Sequence, residues 1–122
     1  MRGTLRAVQR GLAADGFVRR YDTGTDVDGV RGDEGAFLAC SFWMADALVL
    51  DGQVDAGRAM FERLLDLRND VGLLAEEYDV VAQRQLGNYP QAYSHLALVN
   101  SALNLANAPG PAPRVEPQTV EP

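Results

Sequence analysis

An all-α fold of two αα-hairpins, joined by long loops and followed by a disordered C-terminal tail, is predicted by three features of the chain. Four segments carry apolar residues at helical spacing. Amphipathic and all-round apolar segments alternate along the sequence. A short motif also recurs, "GFVRRYD" at residues 16–22 and "GLLAEEYD" at residues 72–79, about 56 residues apart and each ahead of an apolar segment. One amphipathic and one fully apolar helix make the hairpin that a double-layered α/α ring requires, because partner and neighbours cover the inner helix on every side. Two hairpins alone form an incomplete ring.

The elements follow in order. Leu5, Val8 and Leu12 lie opposite Arg6, Gln9 and Arg10, which predicts an amphipathic surface helix with Thr4 as its N-cap. Residues 15–33 are rich in Gly and Asp around the short β-like patch "FVRRY" and read as a long structured loop. In residues 34–50, "EGAFLACSFWMADALVL", Phe37, Cys40, Met44 and Ala47 form one stripe, and Leu38, Phe42, Ala45 and Val49 another. Such a helix must be buried nearly all round. Gly52 breaks it, and residues 54–69 are amphipathic again, with Met60, Phe61, Leu64 and Leu65 opposed to Asp55, Arg58, Glu62 and Asp66. A second long loop runs to Tyr89. Pro90 then opens a largely apolar helix in its first turn, where a missing N–H is harmless. Five of the six prolines fall in the closing "APGPAPRVEPQTVEP", the predicted tail.

Composition narrows the function. The 122 residues are 47% hydrophobic and 23% charged, which suits one soluble domain with a modest core. A net charge of −6 and a pI near 4.6 argue against a nucleic-acid partner, which would need a clustered basic surface. The lone Cys40 excludes an internal disulfide and, among apolar neighbours, reads as a small hydrophobe in a reducing compartment. Arg2, Arg6 and Arg10 interrupt the N-terminal stretch, so it reads as neither a signal peptide nor a membrane span, and the cytoplasm is the expected location. No Gly-rich phosphate loop, zinc spacing or nucleophile elbow occurs, and no cofactor or metal is expected. On residues alone, the adjacent Glu76 and Glu77 admit two readings, solvated loop charges or carboxylates of an acid–base site.

"EGAFLACSFWMADAL", "RLLDLRNDVGLLAEEYD" and "RQLGNYPQAYSHLALVNSAL", in that order, resemble the C-terminal end of the catalytic domain of glycoside hydrolase family 15, the glucoamylase-like and bacterial trehalase-like enzymes. The likeness covers nearly all of residues 4–107. It implies that the hairpins are the last two of six in an (α/α)6 toroid, that residues 1–107 are part of a catalytic domain, and that residues 108–122 are a Pro-rich disordered tail. It further implies an inverting reaction whose general base is a glutamate in the loop before the last inner helix, and the family pattern puts that base at Glu76. Inversion needs one carboxylic acid to protonate the leaving oxygen and one carboxylate to activate water, with ~6.5–9.5 Å between them. Glu77 would point elsewhere and order the loop or the sugar.

Other residues carry paired readings. Glu34, at the pocket end of the first inner helix, either bonds sugar hydroxyls or complements the helix dipole. Phe42 and Trp43 are expected in the core rather than as a sugar platform. Tyr89, Gln91 and Ser94, where the loop enters the last helix, either line the pocket and hold water or cap the helix. His95 reads as a structural histidine, and Arg84 as a partner for Glu77 or Asp79. The chain departs from the family with "VVAQ" at residues 80–83, where a turn containing Pro and Gly is usual, and it lacks a second carboxylate matching the general acid. The expectation is thus a C-terminal fragment of an inverting α-glucosidase acting on trehalose or another α-glucoside, holding the base but not the acid and inactive alone. A complementing N-terminal chain or self-association would cover its apolar flanks. The competing expectation is a non-catalytic helical interaction module or inert remnant.

Overall fold

The structure, a computed structural model, describes residues 2–21 and 35–109. It comprises α1 (Arg2–Gly11), β1 (Ala13–Ala14), β2 (Phe17–Val18), β3 (Ala36–Phe37), α2 (Leu38–Leu50), α3 (Val54–Leu65), β4 (Glu77–Asp79), β5 (Arg84–Leu86) and α4 (Ala92–Asn107). Glu34 and tail residues 110–122 lie outside the described residues. The fold is mostly helical, but all-α needs correction. β1 and β2 form a small hairpin, and β3, β4 and β5 form an antiparallel sheet in that order, with Ala36 opposite Tyr78 and Glu77 opposite Leu86. The long loops need partners for their backbone N–H and C=O groups once they pack on the core, and these ladders supply them.

Helix α2 is the centre. Leu38, Ala39, Phe42, Met44, Ala45 and Leu48 are buried, as the absence of a polar face on this helix predicts. It starts at Leu38, four residues later than expected, because Ala36 and Phe37 pair with β4. Two buried hydroxyls tie it to its surroundings. Ser41 Oγ accepts from the Val18 amide at 2.9 Å, and Ser101 Oγ on α4 donates to the Phe42 carbonyl at 3.2 Å. Phe42 also meets Phe61 of α3 edge to face, with centroids 5.9 Å apart.

The outer elements pack on this helix. α1 begins at Arg2, so Thr4 lies inside the helix, exposed, and caps nothing. Only Leu5 of α1 is fully buried, and Arg2 Nε donates to Asp51 Oδ1 at 2.9 Å. Hydrogen bonds from Gln53 and from Arg2 hold the Asp51 carboxyl below its usual range. This tie is complete above the ordinary aspartate range and is lost as falling pH protonates Asp51. α3 and α4 both lie chiefly against α2, and less against each other.

Helix α4 is buried on one side only. Ser94, Ala97, Ser101 and Leu105 face the core, whereas Leu96, Val99 and Leu103 are 60%, 51% and 57% exposed, a bare apolar stripe along the helix. Trp43 is 52% exposed, which corrects its expected place in the core. Pro90 precedes the helix rather than opening it, and Gln91 is the N-cap, its side chain accepting from the Tyr93 amide.

Gly57 sets the approach of α3 to α2. A Cβ there would stand 2.6 Å from Val49 Cγ2 and 2.9 Å from the Ala45 carbonyl oxygen. Alanine in a helix ordinarily stabilises by about 1 kcal/mol relative to glycine. Gly57→Ala is instead expected to destabilise the chain by about 1–3 kcal/mol through overpacking against backbone, read by urea denaturation. A more stable variant would show that the interface is looser than this geometry.

Candidate active site

The segment leading to Glu76 has no regular structure, yet all its main-chain groups are bonded. Leu73 N–H donates to Asn69 Oδ1, and Leu73 O accepts from the Asn69 amide and from Gln85 Nε2. Leu74 N–H donates to His95 Nε2 at 3.2 Å, and Leu74 O accepts from the Gln91 amide. Ala75 N–H donates to Gln85 Oε1, and Ala75 O accepts from Ser94 Oγ at 2.7 Å. Glu76 N–H donates to Asn88 O, and Glu76 O accepts from the Leu38 amide. The donors and acceptors come from the start of α2, from β5, from the turn after it and from the first turn of α4. With Leu74 and Ala75 buried, the loop is held as firmly as an element of secondary structure.

At the end of this loop the two glutamates reach different partners. Glu76, half-buried, accepts at Oε2 from the Asn88 side-chain amide at 2.9 Å and from the Asn88 backbone N–H at 3.2 Å. Among the described residues nothing bonds its Oε1. Glu77 on β4 accepts at Oε2 from the Gly35 amide at 3.1 Å, next to β3. Asp79 caps the β4–β5 turn by accepting at Oδ1 from the Val81 and Ala82 amides, which is how "VVAQ" turns without Pro or Gly. Gln83 there takes a positive φ of 51°. Arg84 faces Asp79 across the ladder and is exposed.

Of the other residues singled out in the sequence, Ser94 is fully buried and gives its hydroxyl to Ala75 O, so it acts through the loop. Tyr89 is exposed, and its hydroxyl accepts from Asn69 Nδ2. His95 donates from Nδ1 to Gln91 O at 2.7 Å and accepts at Nε2, which requires the neutral Nδ1–H tautomer and a structural role. Glu34 is outside the described residues. Asn69, Gln85, Gly87 and Asn88 were not singled out. Each acts between segments distant in sequence, and only the "GN" turn signal at residues 87–88 hinted at one of them.

Three other features bear on the chemistry. A cleft of about 480 Å³ between β2 and β4, lined by Asp15, Phe17, Arg19, Tyr78 and Asp79, does not include Glu76, whose free oxygen opens on the surface. Burial pushes the Cys40 thiol up, against a smaller opposing effect of Arg20, so it is protonated at neutral pH and a poor nucleophile. Among the described residues no three His, Cys, Asp or Glu side chains gather to hold a metal, and no helix is long and apolar enough to cross a membrane.

The family profile described as Glycosyl hydrolases family 15 matches residues 1–103. The chain is similar to the trehalase of Mycobacterium tuberculosis, 42% identical over 108 residues, and to that of Mycolicibacterium smegmatis, 41% identical over 108 residues; each match covers 88% of this chain and 16% of the relative. The trehalase of Thermoplasma acidophilum is 39% identical over 107 residues, 87% of this chain and 18% of the relative. The chain thus spans about one sixth of the length of these relatives. No solved structure matches it.

Gln85 is the side chain on which the loop depends most, since its amide serves Leu67 O, Leu73 O and Ala75 N–H together. Gln85→Ala is expected to speed exchange of the Ala75 amide proton about 10- to 100-fold, as a lost buried hydrogen bond of about 1–3 kcal/mol implies. Unchanged protection would mean that the loop is held without it.

Proposed function

The chain belongs to glycosyl hydrolase family 15, and on that basis we propose that it forms the base-bearing part of an inverting α-glucosidase that hydrolyses trehalose. The observation that supports this most directly is the Glu76 carboxylate itself. It stands at the end of a fully bonded loop, anchored through one oxygen and open at the other. A general base needs that combination of fixed orientation and one free lone pair. Trehalose is the substrate to test first because the relatives are named trehalases.

In the proposed reaction Glu76 Oε1 takes a proton from water as the water oxygen bonds to the anomeric carbon from the face opposite the leaving group. The bond from that carbon to the bridging oxygen breaks, and the general acid protonates this oxygen as it leaves with the second glucose. Glu77 and Tyr89 would border the sugar in this reading, with Ser94 acting through Ala75. Glu34 would join them from the segment outside the described residues. The acid comes from polypeptide that these 122 residues do not include. The bare stripe of Leu96, Val99 and Leu103 is where the remaining hairpins of an (α/α)6 toroid would pack on α4. Residues 1–107 are then the share of the catalytic domain present here, and residues 108–122 a tail.

The test is to co-express the chain with the Mycolicibacterium smegmatis trehalase lacking its 108 matching residues. Trehalose hydrolysis is expected only from the pair, releasing one β-glucose with each α-glucose by NMR. Glu76→Gln is expected to lower kcat by about 10²- to 10⁴-fold, the usual contribution of a general base. Two α-glucose products would mean retention, and an active Glu76→Gln pair would remove the base assignment. A soluble homo-oligomer of the chain that neither pairs nor turns over would instead identify a non-catalytic interaction module.

A further inference from the structure

We propose that Asn88 is a positioning residue for the Glu76 carboxylate, clamping Oε2 with two N–H donors so that Oε1 alone remains to take a proton. This rests on the assignment of Glu76 as the base. Both donors come from one residue and converge on one oxygen, the side-chain amide at 2.9 Å and the backbone N–H at 3.2 Å. The main chains of the two residues are joined as well, Glu76 N–H to Asn88 O at 2.9 Å. The loop therefore does not need the Asn88 side chain to stay in place. What that side chain adds is the direction of the carboxylate plane, since two donors on one oxygen stop the carboxylate from presenting its oxygens interchangeably.

Gly87 completes the arrangement. Its φ is +79°, a conformation that side-chain-bearing residues rarely adopt, and a Cβ there would stand 3.1 Å from both Glu76 Cβ and Glu76 Oε2. The glycine brings the Asn88 amides round to the carboxylate and leaves space for the carboxylate to lie over the turn. A residue that holds a base in line acts on the transition state rather than on ground-state binding, because misplacing a reacting group by about 1 Å costs on the order of 10²-fold in rate.

Two measurements test this. In the isolated chain, Glu76→Gln is expected to shift the Asn88 side-chain and backbone N–H resonances in 15N-resolved NMR, because a charged acceptor has become neutral. Unmoved resonances would mean that no clamp exists in solution. In the reconstituted pair, Asn88→Ala is expected to lower kcat about 10- to 100-fold with KM within about twofold. Asn88→Asp, which keeps the shape and loses the side-chain donor, should not restore it. An unchanged kcat, or a loss confined to KM, in a pair that Glu76→Gln silences would overturn the positioning role and leave the base assignment standing. A pair still active as Glu76→Gln would remove the base and the role of Asn88 together.

Discussion

Helix α2 has nowhere to go but the interior, and the rest of the structure arranges itself around that fact. Its only charged residue is Asp46, and it buries Leu38, Ala39, Phe42, Met44, Ala45 and Leu48 among α1, β2, α3 and α4 while Trp43 and Leu50 stay exposed. A helix without a polar face is tolerable in water only when covered on most sides. Covering it leaves backbone groups to satisfy at its N-terminal end, and the Leu38 amide meets one of these needs by donating to Glu76 O. The buried helix and the candidate base are therefore joined by a hydrogen bond that helix packing itself calls for.

From that joint the loop before Glu76 draws further partners out of side chains on three other segments, beside the backbone groups of Asn69, Asn88 and Gln91. Gln85 reaches from β5, while His95 and Ser94 reach from α4, and Asn69 folds the loop back on itself. Each provides a donor or acceptor at a point where the buried backbone would otherwise lose one, at about 1–3 kcal/mol apiece. Residues that look like substrate contacts in the sequence can thus serve the site by stiffening the loop. Buried Ser94 does so with its hydroxyl on Ala75 O.

Much of the helical frame was legible in the sequence, because 3.6-residue periodicity over a dozen residues is a strong signal. All four helices lie where their apolar patterns put them, with ends shifted by a few residues. The strands were not legible beyond the patch at Phe17 and Val18, since two or three residues are too few to show alternation and the partners of Ala36 and Phe37 lie some 40 positions away. Glu76 was picked out by resemblance, and its neighbours gave the reason for its loop position only once Asn88, Gly87 and Gln85 were seen to return to it. Periodicity also marks a stripe as apolar without saying whether anything covers it. The last helix reads as largely apolar in the sequence, and only the structure tells that Leu96, Val99 and Leu103 are its bare side.

That bare face lies on the same helix that supports the loop. α4 contains no Asp, Glu, Lys or Arg in its 16 residues, and among its exposed positions Ala92, Leu96, Val99, Leu103 and Ala106 recur at the three- and four-residue spacing of a packing seam. The opposite face of its first turn carries Ser94, which holds Ala75, while His95, flanking the stripe, holds Leu74. A polypeptide seated on the stripe would press on a rigid rod whose far side fixes the approach to Glu76. Under the proposed function, assembly of the toroid and alignment of its base are then coupled through α4. Weakening the seam at Leu96 or Leu103 would then loosen the loop before Glu76 as well as the association.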